Sequence, residues 1–115
     1  MTFELVLDLD GLTYFSDIPN WTPEMSHNFE VFYLNGEEDL QLMMSVVDDL
    51  NLHCQSLLDN GDADYFSGTK LQCLYNWLVR ILKTDLNDRL QQLLHKLLLF
   101  AERAIELQTG VVIEL

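Results

Sequence analysis

The stretch that decides the fold is LNDRLQQLLHKLLLFAERAIELQTGVVI, residues 86–113. Apolar residues recur in it at steps of three and four, the spacing of one helix face. This core stripe comprises Leu86, Leu90, Leu93, Leu94, Leu97, Ala101, Ala104 and Ile105. Residues 98–100 are also apolar and widen the stripe, which predicts either a central helix buried on several sides or a dimer seam. Thr109-Gly110 ends the helix, and Val111–Ile113 predicts a strand.

Two further amphipathic helices precede this one. Thr84 or Asp85 is expected to cap the long helix, and a helix from Thr69 to about Leu82 lies before it. An earlier helix begins at the acidic run 37–39. Its apolar stripe comprises Leu40, Met43, Met44, Val47, Leu50, Cys54, Leu57 and Leu58. Residues 59–68 are predicted to form a polar loop.

The N-terminal third predicts strands. Apolar residues alternate with other residues over 2–9, and Asp10-Gly11 favours a hairpin to a second strand at 12–16. Two prolines make 17–25 a loop, and a third strand is expected at 28–34. The whole order predicts an α+β fold, in which a small antiparallel sheet packs against three helices. We expect 1–115 to be a single domain with one core.

Charge is distributed unevenly along the chain. All six Lys and Arg lie at or after position 70, whereas 14 of the 19 Asp and Glu lie before it. A field of one sign repels nucleic acid and anionic lipid and attracts a basic protein. We therefore expect a basic protein partner and neither nucleic-acid nor membrane binding. The expected contact residues are Glu37, Glu38, Asp48, Asp49, Asp59, Asp62, Asp64 and the loop residue Trp21.

One segment has the character of an enzyme motif. Leu5–Gly11, with its D-x-D-G ending, resembles the nucleophile motif of haloacid-dehalogenase-type phosphatases. That resemblance implies Asp8 as nucleophile and Asp10 as acid/base near Mg²⁺. It covers seven residues, and Lys70 follows the later acidic pair 48–49, whereas the family's lysine precedes its pair. We expect a hairpin turn here and no enzymatic activity.

Metal and cofactor sites are not expected either. Asp59–Asp64 has alternating oxygen side chains, but it lacks the glycine and the bidentate glutamate of a calcium loop. The two cysteines do not form a C-x-x-C pair, and no basic signal region or membrane-length apolar run is present. These features favour a location in the cytoplasm, which is a reducing compartment.

The resulting hypothesis is a small acidic inhibitor. It would neutralise a basic toxin by covering its active or substrate-binding cleft, as an immunity protein does for a bacterial nuclease toxin. Two alternatives remain: a dimeric acidic chaperone or adaptor, with its homodimer seam at 93–105, and a nucleic-acid mimic that blocks a DNA-binding enzyme.

Overall fold

The computed structural model describes all 115 residues. The strands are β1 (Thr2–Val6), β2 (Thr13–Phe15), β3 (Ile18–Asn20), β4 (Phe29–Tyr33), β5 (Ala63–Ser67) and β6 (Gly110–Glu114). The helices are α1 (Gly36–Cys54), α2 (Gly68–Ile81) and α3 (Asp88–Leu107), with a short 3₁₀ helix at Pro23–Asn28. No helix is both long enough and apolar enough to cross a lipid bilayer.

The main sheet is antiparallel, with strand order β4-β1-β6-β5. Side chains alternate between its two faces because a strand has a period of two. Phe3 and Leu5 of β1 enter the core beneath the helices, as do Val111 and Ile113 of β6. The opposite face, called the outer face below, carries Glu4 and its neighbours. The predicted α+β fold with an antiparallel sheet and three helices is confirmed.

Helix α3 occupies the centre of the molecule. It packs on β1 and β6 and also against α1 and α2. Its buried residues are Leu90, Leu93, Leu94, Leu97, Phe100, Ala101 and Ala104. Most of the apolar stripe is therefore buried within one chain, whereas Ile105 of the predicted stripe and the neighbouring Leu99 are 38 % and 46 % exposed. The cap of α3 differs from the prediction: Asn87, and not Thr84 or Asp85, accepts from the backbone N–H groups of Arg89 and Leu90 at 2.9 and 3.3 Å.

The predicted hairpin at Asp10-Gly11 is wrong. Strand β1 has β4 on one edge and β6 on the other, so no edge is left for a strand that follows residue 9. The strand β2 pairs instead with β3 in a separate hairpin around Ser16-Asp17, where Ser16 has the positive φ of a tight turn. The region predicted as a loop, 17–25, thus contains β3 and the start of the 3₁₀ helix.

The predicted polar loop 59–68 is also partly wrong. Residues 63–67 form β5, which pairs along the free edge of β6. Helix α1 ends at Cys54 because Gln55 adopts a left-handed conformation. As a result Leu57 does not continue the apolar stripe: it is 84 % exposed, whereas Leu58 is buried. The other strand predictions are confirmed within one to three residues at each end.

Candidate partner-binding surfaces

Four of the predicted contact residues share the exposed side of α1. Glu37, Glu38, Asp48 and Asp49 are exposed, and together they are called the acidic face. Positions eleven apart are three helical turns apart, so the acidic face spans about 16 Å. Leu52, one turn beyond Asp48, is 81 % exposed. The acidic face therefore ends beside an apolar side chain that is free to contact another protein.

One member of the acidic face also has a structural role. The indole Nε1 of the buried Trp77 donates to Asp49 Oδ2 at 2.8 Å, which joins α2 to α1. Nδ1 of His53 lies 3.6 Å from the other oxygen of Asp49. Glu37, Glu38 and Asp48 form no ion pair. These three are accordingly the carboxylates that remain available to a cation from outside.

The remaining predicted acidic residues divide into two kinds. Asp59 and Asp62 are exposed in the connection between α1 and β5. Asp64 already has an internal ion-pair partner, because Lys70 Nζ donates to both of its carboxylate oxygens at 2.7 Å. No three His, Cys, Asp or Glu side chains in the chain gather in a way that could hold a metal ion.

The internal cations neutralise little of the acidic charge. Lys70 pairs with Asp64, Arg89 with Asp39 and Arg103 with Glu106. These three pairs leave sixteen of the nineteen carboxylates without a Lys or Arg partner. The ammonium group of Lys96 lies over the ring of Phe100 instead. The protein thus presents a large excess of uncompensated negative charge.

The ion pair of Asp39 is a feature that sequence reasoning missed. Asp39 lies in the first turn of α1, as the acidic run 37–39 predicts, yet it is buried and binds the guanidinium of Arg89, fifty positions away. The hydrogen bond from Arg89 keeps the pKa of Asp39 below its usual value, although burial opposes this. Helical spacing is a local pattern, so it could not predict a contact between two helices so distant in sequence.

Trp21 lies apart from the acidic face. The β2–β3 hairpin and the residue Trp21 cover part of the outer face, where they enclose a cleft of about 280 Å³, called the outer cleft. The lining residues are Glu4, Phe15, Ile18, Pro19, Asn20, Trp21, Ala63, Val112 and Glu114. Two of these are carboxylates that sequence analysis did not select. The available signal was the glutamate at position 4, inside an otherwise apolar strand.

Glu4 is an unusual residue of the outer cleft. It is only 7 % exposed, and the Thr2 hydroxyl donates to its Oε2 at 2.7 Å. Burial raises the pKa of Glu4, and the nearby charge of Glu114 adds to that increase. No group of the chain donates to Oε1, and neither glutamate forms an ion pair with Lys or Arg.

The segment with the phosphatase-like motif has local contacts only. Asp8 and Asp10 are exposed beyond the end of β1, and Asp8 Oδ1 accepts from the backbone N–H of Asp10 at 3.0 Å. The side-chain amide of Asn28 donates to both backbone carbonyls and fixes this turn. Asp8 and Asp10 of the motif therefore lie in the loop that connects β1 to β2, beyond the end of the main sheet.

Comparisons of the chain with protein-family models, with curated proteins and with solved structures found no match. The features of this chain that bear on function are therefore its two surfaces, the acidic face and the outer cleft.

Proposed function

We propose that this chain is a small acidic inhibitor that acts in the cytoplasm and neutralises a basic protein. The partner we propose is a toxin, such as a nuclease domain, whose active or substrate-binding cleft the inhibitor covers. The mode of action is that of an immunity protein. No catalytic step by this chain is part of the proposal.

The single observation that supports this proposal is the charge balance of the folded chain. Sixteen carboxylates have no Lys or Arg partner, and three of them lie unpaired on the acidic face of α1. A surface of one sign carries a self-repulsion that mixed charges would avoid at equal solubility. A basic partner would remove that repulsion on binding.

In this mechanism the carboxylates substitute for the phosphates that a nuclease cleft is built to bind. Glu37, Glu38 and Asp48 would speed encounter by attracting the basic cleft over a distance of about one Debye length. Exposed apolar residues would then set the rate of dissociation, because most differences in affinity arise there. Leu52, exposed beside the acidic face, would be one such residue.

The geometry favours this function over its two alternatives. The carboxylates of the acidic face form two pairs about 16 Å apart, whereas a mimic of nucleic acid needs closer, regular spacing. Most apolar residues of the proposed dimer seam, such as Leu93, Leu97 and Phe100, are buried inside the monomer, and only Leu99 and Ile105 are exposed. Two exposed apolar residues make a small seam for a stable dimer, so the acidic inhibitor is the function we prefer.

The experiment uses the basic proteins encoded beside the gene for this chain. Purified chain is mixed with each one, and association is followed by stopped-flow fluorescence from about 0.01 M to about 1 M salt, which shortens the Debye length from about 30 Å to about 3 Å. We expect one protein to bind, to lose its activity, and to associate about a hundredfold more slowly at high salt. Binding that is insensitive to salt, or no neutralised neighbour, contradicts the proposal.

A matched pair of variants tests whether the acidic face, and not the net charge of the chain, speeds association. The triple variant Glu37→Gln, Glu38→Gln, Asp48→Asn removes three charges from the acidic face. The control variant Glu24→Gln, Asp85→Asn, Glu102→Gln removes three exposed, unpaired charges elsewhere. We expect only the first to slow association strongly. Equal slowing by both would show that net charge acts without a specific face.

A further inference from the structure

We infer that the outer cleft receives an arginine side chain of the basic partner. The inference rests on the proposed function for the sign of the partner, and it assigns a second contact, away from the acidic face.

The floor places two carboxyl groups side by side. Strand pairing sets Glu4 opposite Val112 and Thr2 opposite Glu114, so Glu4 and Glu114 are diagonal neighbours on the outer face. Two acidic side chains at this spacing repel each other unless a cation lies between them. The chain supplies no Lys or Arg for this position, and the Met1 amino group acts on Glu4 without forming an ion pair with it.

Burial makes the missing cation more significant. Glu4 is more than nine-tenths buried, and its Oε1, which accepts no hydrogen bond from the chain, is not fully enclosed and stays open to the outer cleft. A buried carboxylate without a cation or a full set of donors is unfavourable, and protonation or a bound cation relieves this. The burial-driven increase in the pKa of Glu4 has the same origin. The floor is therefore arranged to accept hydrogen bonds from a positively charged group.

The walls suit the flat, apolar body of such a group. Phe15 is 80 % exposed and Trp21 is 38 % exposed, and Ile18, the strand partner of Phe15 beside the hairpin turn, also lines the outer cleft. Aromatic faces attract cations and cover the methylene stem of a long basic side chain. A guanidinium both stacks on an aromatic ring and donates two parallel bonds to carboxylates, so arginine fits better than lysine.

The test uses a probe that does not require the partner. N-acetyl-arginine methylamide is titrated into ¹⁵N-labelled chain, with the uncharged citrulline analogue as a comparison ligand. We expect saturable shifts at the Trp21 indole N–H and the Val112 amide with the arginine probe only. No saturable shift, or equal shifts with citrulline, overturns the inference.

Variants separate a binding role from a structural one. Glu4→Gln keeps an oxygen for the Thr2 hydroxyl, and it is expected to weaken binding of the probe about tenfold, the effect of losing one charge-assisted contact. The control is Glu30→Gln on the opposite side of the sheet, because Glu30 pairs with the core residue Leu5. Unchanged binding by Glu4→Gln, or equal loss in both variants, overturns the inference.

Failure of the cleft and failure of the proposed function give different results. Salt-sensitive capture of a basic protein without binding of the arginine probe rejects the cleft and leaves the inhibitor function supported. Binding of the probe without any captured basic protein supports the cleft and rejects the inhibitor function.

Discussion

Arg89 donates to Asp39 from Nε at 2.9 Å and from Nη2 at 2.7 Å, which ties the start of α3 to the first turn of α1. The backbone N–H of Asn35 donates to the same carboxylate at 2.7 Å. Asp39 thus fixes the position of the helix that carries the acidic face.

Replacing Asp39 with alanine is expected to destabilise the protein by about 1–3 kcal/mol, because the Asn35 N–H and the guanidinium lose their acceptor. The pKa of Asp39 is lowered in the folded state, so its stabilisation is present above the unfolded pKa, about 3.9, and is lost as pH falls through the folded value. Urea unfolding between about pH 2 and about pH 7 measures this. The control Glu106→Gln removes an exposed pair and should change little.

Glu4→Gln is expected to stabilise the protein at neutral pH. The folded-state pKa of Glu4 is raised, chiefly by burial and further by Glu114, whereas the Thr2 hydroxyl and the Met1 amino group oppose the increase. The stabilisation from this group is therefore present below its unfolded pKa and is lost as pH rises through the folded value. At about pH 7 the variant should melt up to about 5 °C higher, and below about pH 4 the difference should vanish. A lower melting temperature at neutral pH would contradict this account.

Trp77→Phe is expected to destabilise the protein by about 1–3 kcal/mol, because the buried ring is replaced by a smaller one and the bond to Asp49 is lost. Chemical denaturation measures the loss. Trp21→Phe is the matched control, since Trp21 is partly exposed, and its cost should stay below about 1 kcal/mol. Equal destabilisation by the two variants would be inconsistent with the burial of Trp77.

The two cysteines should differ in reactivity. Burial, and next the neighbouring Cys73 thiol, raise the pKa of Cys54 to about 12, and only Cys73 is partly exposed. Because the thiolate is the reactive form, iodoacetamide at about pH 8 should modify Cys73 first and leave Cys54 largely unmodified in the native protein. Peptide mass spectrometry over time reads both sites. Equal rates at the two sites would mean that Cys54 is accessible.

Gly110→Ala is expected to destabilise the protein by at least about 2 kcal/mol. A Cβ at this position would lie 2.5 Å from the backbone oxygen of Phe66 and from the ring of Tyr65, so β5 and β6 would have to separate. Gly61→Ala is the control, because its Cβ meets nothing within 4 Å and only the positive φ costs about 1 kcal/mol. Thermal unfolding compares them, and a smaller loss at Gly110 would contradict the close approach.

The three helices could be predicted from sequence because their apolar spacing is local and repeats over several turns. The sheet was harder, since pairing depends on which edges remain free. Asp10-Gly11 has the composition of a hairpin, but β4 and β6 already occupy both edges of β1. Ala63–Ser67 has a weak strand pattern and becomes a strand because β6 offers it an edge. The acidic face followed from charge and helical period, whereas the outer cleft depends on a hairpin that covers Glu4.

The position of β6 between β1 and β5 constrains how this chain can be made. Its two neighbours, β1 and β5, come earlier in the chain but do not pair with each other, so only β6 joins them into one sheet. Until β6 is synthesised, each exposes an unpaired edge to other nascent chains, and non-local pairing of this kind is slow. The sheet consequently cannot be completed before residues 110–114 have been synthesised, and any pause in translation before residue 110 lengthens the interval in which the chain can aggregate.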